Sequence, residues 1–213
     1  MKIDLHTHTL RSKDCSSSYD DIIRTVQQVG LHGIAVTDHN ELSGAKELAQ
    51  VAPFMVIPAE EIKTSDGEII GLFLQERIEP GLPPLETVRQ IKVQGGLVYV
   101  PHPFDQVRGS HLTRRALDTI RPHIDLLEVY NARCALPSFN SRALAYANEH
   151  RIAAGAGSDA HTYGEYGHAY IDVPDFHDAE TFRRALSHGS WQGRLSSPLV
   201  HARTSLDKVM KRW

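Results

Sequence analysis

The chain has 213 residues, a formal net charge of -3, 41% hydrophobic residues and 23% charged residues, the make-up of a globular protein rather than a disordered one. No run of about 18 apolar residues offers a membrane span, and the N-terminus MKIDLHTHT places charge and imidazole where a signal peptide needs an apolar stretch, so a cytoplasmic location is expected. Residues 1–106 hold 9 basic and 15 acidic side chains and residues 107–213 hold 14 and 11, too mild an imbalance to indicate a nucleic-acid binder on charge alone.

Strand-like and helix-like segments alternate along the chain. The apolar runs fall at 2–8, 33–38, 55–62, 97–103, 126–131, 152–159 and 169–173. Helical patterns lie between them at 19–29, 43–51, 84–94, 112–120, 138–149 and 178–188. In the first helix Ile22, Val26 and Val29 mark one face, serines before it can cap it, and Gly30 stops it. Gly95, Gly96 and Gly189 read as further C-terminal stops. Residues 67–74 can add a strand paired with 55–62, since Ser65, Asp66 and Gly67 form a turn signal. Repeated strand–helix units imply a parallel sheet, and about seven of them fit a barrel or a doubly wound sheet. No linker-like tract divides the chain, so residues 1–213 are expected to form one domain. Residues 194–213 are less regular, and Arg203, Lys208, Lys211 and Arg212 there read as a solvated basic tail.

Thirteen histidines are the unusual number, since imidazole is the commonest metal ligand. Their positions separate them into two sets. His6 and His8 end the first strand at i and i+2, so both project to one face, while Ile3 and Leu5 have the opposite parity and are expected to face the helices. Asp159 and His161 repeat this spacing after a late strand, and Asp38–His39, Glu60–Glu61 and His102 each follow an apolar strand. The C-terminal ends of strands form the active-site face in α/β barrels and open sheets. His32, His123, His150, His177, His188 and His201 lie away from strand ends and read as surface or structural, and His168 reads as a non-ligand near the mouth. Cys15 and Cys134 form no CxxC pair, which excludes a zinc ribbon, and both are expected to be reduced.

The candidate ligands are His6, His8, Asp14, His39, Glu61, His102, Asp159 and His161. Imidazole with carboxylate suits zinc, manganese or iron. Eight donors exceed what one tetrahedral ion uses, so two or three divalent ions sharing a bridging carboxylate are expected. Such ions clamp an in-line displacement and bring the pKa of a bound water to about 7. This points to metal-assisted hydrolysis, with a phosphate ester as the leading substrate.

DLHTHT, VTDHN, IPAEEI, VPHP and GSDAH, in this order, resemble the PHP (polymerase and histidinol phosphatase) superfamily over roughly residues 1–175. The resemblance implies a distorted seven-stranded TIM-like (β/α) barrel, a dinuclear or trinuclear metal site at the C-terminal ends of the strands, and phosphoesterase activity. By position it implies that His6, His8, Glu61 and Asp159 hold a first ion, that Glu61 bridges to a second held by His102, and that Asp14, His39 and His161 hold a third. Glu61 rather than Glu60 aligns with the family's acidic ligand, because IPAEEI resembles I-P-G-x-E-I. Two positions depart from the family. Many members carry another histidine after the strand equivalent to LLEVYN, where this chain has NARCALPSFN and Asn131, Cys134 or water would have to stand in. The usual S-D-G loop reads SKDCSS, so Asp14 is assigned by nearest match. For substrate phosphate, Arg133 and Asn131 past that strand are the first candidates, since guanidinium forks onto phosphate oxygens, with Arg11 and Arg108 as weaker choices. The expected partner is a small phosphorylated metabolite or nucleotide. An exonuclease, a histidinol-phosphate phosphatase (such enzymes usually have longer chains) and a non-catalytic metal-binding module are the alternatives.

Overall fold

The apolar strands join into one mixed sheet of nine strands in the computed structural model, which describes residues 1–197 and residue 200. In chain order the elements are β1 (Lys2–Thr7), α1 (Tyr19–Gln28), β2 (Gly33–Val36), α2 (Ser43–Ala49), β3 (Met55–Thr64), β4 (Gly67–Leu72), α3 (Pro84–Val93) and β5 (Leu97–Val100). They continue with α4 (Arg114–Ile120), β6 (Leu126–Asn131), α5 (Pro137–His150), β7 (Ala153–Gly157), β8 (Ala169–Asp172), α6 (Ala179–Ala185) and β9 (Ser190–Gly193). The strand order is β7-β6-β5-β4-β3-β2-β1-β8-β9. β7 curls back to β1, where the His8 N–H donates to Ala160 O at 3.0 Å and the Asp159 N–H donates to His6 O at 2.7 Å. The result is a nearly closed, barrel-like sheet.

The sheet has nine strands rather than the expected seven, and it is not all parallel. β1, β2, β3, β5, β6 and β7 run one way, whereas β4 pairs antiparallel with both β3 and β5, and β8 pairs antiparallel with β1. β4 is the hairpin partner that the Ser65–Asp66–Gly67 turn signalled. β9 carries no periodic apolar pattern: it is held by pairing with β8 and by Trp191 stacked on Tyr130 at 5.4 Å. The helix positions match the sequence pattern closely. Ser18 caps α1 by accepting from the Asp21 N–H, and Gly30 and Gly95 past α1 and α3 adopt φ of 71° and 74°. The basic residues from Arg203 onward, and His201, lie outside the described residues. Among those described, no helix is long and apolar enough to cross a membrane.

Two apolar layers hold the barrel. Ile22, Val26, Ile34, Val36 and Leu48 belong to the layer between sheet and helices. Ile3, Leu5, Ala35, Ile57, Tyr99 and Leu126 belong to the inner layer. Ile3 and Leu5 therefore pack inward, contrary to the expectation that they face the helices. The register of β1 on β2 shifts between Asp4 and Thr7, and this irregularity lets His6 turn inward as well. The end of the barrel away from the histidines is closed by aromatic rings, with Phe182 5.5 Å from Phe73 and 4.6 Å from Phe176. The opposite end is left to polar side chains.

Candidate metal centre

His6 and His8 are fully buried, and their Nε2 atoms make no hydrogen bond among the described residues. Both point at the same two carboxylate oxygens. His6 Nε2 lies 3.5 Å from Glu61 Oε2 and 3.7 Å from Asp159 Oδ1, and His8 Nε2 lies 3.5 Å and 3.4 Å from the same atoms. An ion with tetrahedral ligands at about 2.1 Å has those ligand atoms about 3.4 Å apart. Unbonded buried nitrogens and carboxylate oxygens at that spacing fit a divalent cation.

The other candidates surround this set. Asp14 lies between two imidazoles, its Oδ2 3.6 Å from His39 Nε2 and its Oδ1 3.4 Å from His161 Nε2. His39 Nδ1 lies 3.0 Å from Glu61 Oε2, and His102 Nε2 lies 3.0 Å from Glu61 Oε1. Glu61 thus reaches toward each group, as a bridging ligand must. All eight candidate ligands come together at the C-terminal ends of the parallel strands. Two of them, His102 and Asp159, adopt φ of 30° and 55°, a left-handed backbone costly for these residues and concentrated at functional sites. Gly157 is required two residues before Asp159, because a Cβ there would meet His6 Cβ at 2.3 Å.

The adjacent Glu60 and Glu61 part because successive strand residues point to opposite faces. Glu60 Oε2 accepts the Ile78 N–H at 2.8 Å, away from the histidines, and burial pushes its carboxyl up to about 7. A raised acid pKa means that stability is lost as pH rises from the usual 4.5 through about 7. The shift sets an upper limit of about 3 kcal/mol on that cost. Glu60→Gln is therefore expected to raise unfolding free energy by about 1–2 kcal/mol at pH 8 and to change it little at pH 5. Urea unfolding at the two pH values measures this, and an equal effect at both would contradict it.

A layer behind the ligands aims them, and most of it was not picked out from the sequence. Glu128 in β6 contacts His6 Nδ1 at 3.0 Å, so the ring presents Nε2 to the centre. The same carboxylate accepts from Tyr99 Oη at 3.1 Å, from the His102 backbone N–H at 2.6 Å and from Asn131 Nδ2 at 3.0 Å. A carboxylate inside an otherwise apolar strand, LLEVYN, was the available signal. For His8 the chain runs from Nδ1 to Ser12 Oγ at 3.2 Å and on to Asp38 Oδ1 at 2.7 Å. Glu128→Gln is expected to weaken metal binding by roughly 10–100-fold with the fold retained. Metal titration of the apo protein checks this, and unchanged affinity would show that His6 does not depend on Glu128.

Electrostatics follow the packing. Against the cost of burial, Asp159, Glu128 and Glu61 hold the His6 imidazole well above its ordinary pKa, and Glu61 and Asp14 do the same for His39. Burial, His161 and His39 push His8 down to about 3. Burial opposes the charge on Glu61 and Asp159, yet His6 and His39 keep Glu61, and Arg108 and His6 keep Asp159, well below the carboxylate range. The metal-free centre thus holds buried carboxylates whose charge is offset by protons on some imidazoles.

The arginine and amide candidates have other partners. Asn131 donates through Nδ2 to Glu128 and, at 3.1 Å, to Asp159 Oδ2, while its Oδ1 accepts the Arg133 N–H at 2.8 Å. Arg133 is buried, with Nη1 3.4 Å from Asp159 O and Nε 3.4 Å from Glu165 Oε1. Arg108 ion-pairs with Asp159 through Nη1. Arg11 forks onto Glu47 at 3.1 and 2.6 Å. Burial pushes the Cys134 thiol up, and Cys15, also buried, donates through Sγ to His8 O at 3.3 Å. His168 bonds Ser196 Oγ at 2.8 Å, away from the ligands. The centre opens where His39 is 30% exposed, into a cavity of about 400 Å³ lined by Arg11, Lys13, Asp14, His39, Asn40 and Glu41.

The PHP domain family matches residues 4–67, and the PHP-associated family matches residues 137–191. An uncharacterised protein of Methanocaldococcus jannaschii is 37% identical over 174 residues, covering 80% of this chain and 70% of that protein. A Shewanella sediminis protein named "probable phosphatase" is 27% identical, covering 81% of this chain and 85% of that protein. A Bacteroides vulgatus two-domain protein, described as containing a predicted PHP-like metal-dependent phosphoesterase, superposes with a TM-score of 0.64 at 15% identity, over 97% of this chain and 69% of that one. The shared fold, the two family matches and the archaeal relative together place this chain in the PHP family.

Proposed function

We propose that this protein is a metal-dependent phosphoesterase that hydrolyses a phosphate ester of a small metabolite or nucleotide. The observation that carries the reading is the convergence of His6 Nε2 and His8 Nε2 on Glu61 and Asp159 at 3.4–3.7 Å, with neither nitrogen hydrogen-bonded among the described residues. The name borne by the Shewanella relative supports the same chemistry.

Bound divalent ions of zinc, manganese or iron would polarise a phosphoryl oxygen and activate water. His6, His8, Glu61 and Asp159 would hold one ion, Asp14, His39 and His161 another, and His102 would share a further one with Glu61. The chain's own part is placement. Glu128 and Asp38 fix the ring orientations of His6 and His8, and Asn131 positions Asp159 rather than touching substrate. Burial lowers the His161 pKa, and the positive charge of Arg133 nearby adds to that lowering; Arg133 is our choice for the group that senses substrate phosphate. Arg11 and Lys13 line the entrance, and a cavity of about 400 Å³ suits a small ester.

The test is a panel of sugar phosphates, nucleoside monophosphates and short oligonucleotides, incubated with protein loaded with Mn, Fe(II) or Zn. Turnover of at least one small monoester is expected. A metal-loaded protein that releases no phosphate across the panel overturns the reading, and hydrolysis confined to oligonucleotide ends would shift it to the exonuclease alternative.

A further inference from the structure

Glu61 and His102 by themselves supply two ligands for the ion they would share, and the stretch after β6 where the family resemblance expects another histidine has none. The Asn131 amide is spent on Glu128 and Asp159, and Arg108 already sets a cation against Asp159 Oδ2. A carboxylate arrives from a different element. Glu68 lies in β4, opposite Lys63 across the β3–β4 hairpin. Its Oε2 is 3.7 Å from His102 Nε2, the same nitrogen that lies 3.0 Å from Glu61 Oε1. Glu61, Glu68 and His39 present ligand atoms within 4.8 Å of one another.

We propose that Glu68 completes a divalent-cation site with Glu61 and His102, in place of a ligand after β6. Charge supports the geometry. The Glu61 and Glu68 side chains are 1% and 12% exposed, and among the described residues neither has a lysine or arginine within ion-pair distance. Two carboxylates set beside each other with so little exposure to water repel. A divalent cation between them removes that repulsion and uses the imidazole already aimed there. One imidazole with two carboxylates is a donor set for zinc, manganese or iron. The antiparallel insertion of β4 thereby acquires a role: it carries a ligand that the parallel strands do not supply.

The inference rests on the metal-centre part of the proposed function and not on the substrate. The experiment is Mn2+ titration of the metal-free full-length chain by calorimetry, with metal content measured after dialysis, for wild type, Glu68→Gln and His102→Ala. Wild type is expected to bind three equivalents, and the two variants are each expected to lose the same one, its affinity falling at least about 100-fold while the others change little. Three equivalents at unchanged affinity in Glu68→Gln would overturn the proposal. So would equal weakening of every ion, which would make Glu68 a neighbouring charge only. If Glu68→Gln fails to fold, the wild-type stoichiometry still decides, since two equivalents would overturn the proposal. Absence of phosphatase turnover in the same samples would count against the phosphoesterase reading alone.

Discussion

Replacing His6 and His8 together with alanine is expected to lower kcat/KM on any hydrolysed monoester by on the order of ten-thousand-fold or more, a loss of about 5 kcal/mol of transition-state stabilisation. The two rings would supply half of the four atoms that converge on a first ion. Glu61 and Asp159 would remain as buried carboxylates with less to offset their charge. Two satisfied core histidines would predict something milder, chiefly the cost of two cavities. The bare Nε2 atoms distinguish these views, since a satisfied core histidine has partners on both nitrogens. Metal content, melting temperature and steady-state kinetics on the same preparation make the comparison. A folded double variant that keeps its metal and works within tenfold of wild type would show that the pair is structural.

Much of the site was legible because its chemistry lies in short-range spacing. His6 with His8 and Asp159 with His161 are i, i+2 pairs at strand ends, and alternation along β3 separates Glu61 from Glu60. What stayed hidden depends on contacts between distant parts of the chain. Glu128 meets His6 across 122 residues of sequence, and Glu68 meets His102 only because an antiparallel strand inserts into the parallel set. That His6 faces inward together with Ile3 and Leu5, despite their opposite parity, depends on a register irregularity in β1 that simple alternation does not encode. β9 escaped notice because Ser190, Trp191, Gln192 and Gly193 have no strand periodicity and owe their conformation to β8 and Tyr130. The helices, whose apolar spacing is local, show the closest agreement between pattern and structure.

Removing the ions is expected to cost more stability than any single substitution away from the centre. One ion at a thousandfold excess over its dissociation constant contributes about 4 kcal/mol. For a domain of this size that is roughly 8–16 °C in melting temperature per ion. The loss should also depend on pH in a direction set by the buried groups. In the metal-free centre His6 and His39 have pKa values well above the ordinary 6.5, so the stability they confer is present below that value and is lost as pH rises through their folded pKa values. His8, lowered to about 3, is already neutral above 6.5 in both folded and unfolded states and adds nothing to this slope. Metal-free protein should therefore become less stable from pH 6.5 upward, as protons leave imidazoles that face Glu61 and Asp159. Metal-loaded protein should not, because the cations take the place of those protons and bind more tightly as competition from protons declines. The gap in melting temperature between metal-loaded and chelator-treated protein should widen between pH 6.5 and 8.5, as measured by differential scanning calorimetry in buffers of matched ionic strength. A gap that stays constant or narrows over that range would mean that His6 and His39 do not carry protons in the metal-free fold, and that its buried carboxylates are neutralised in some other way.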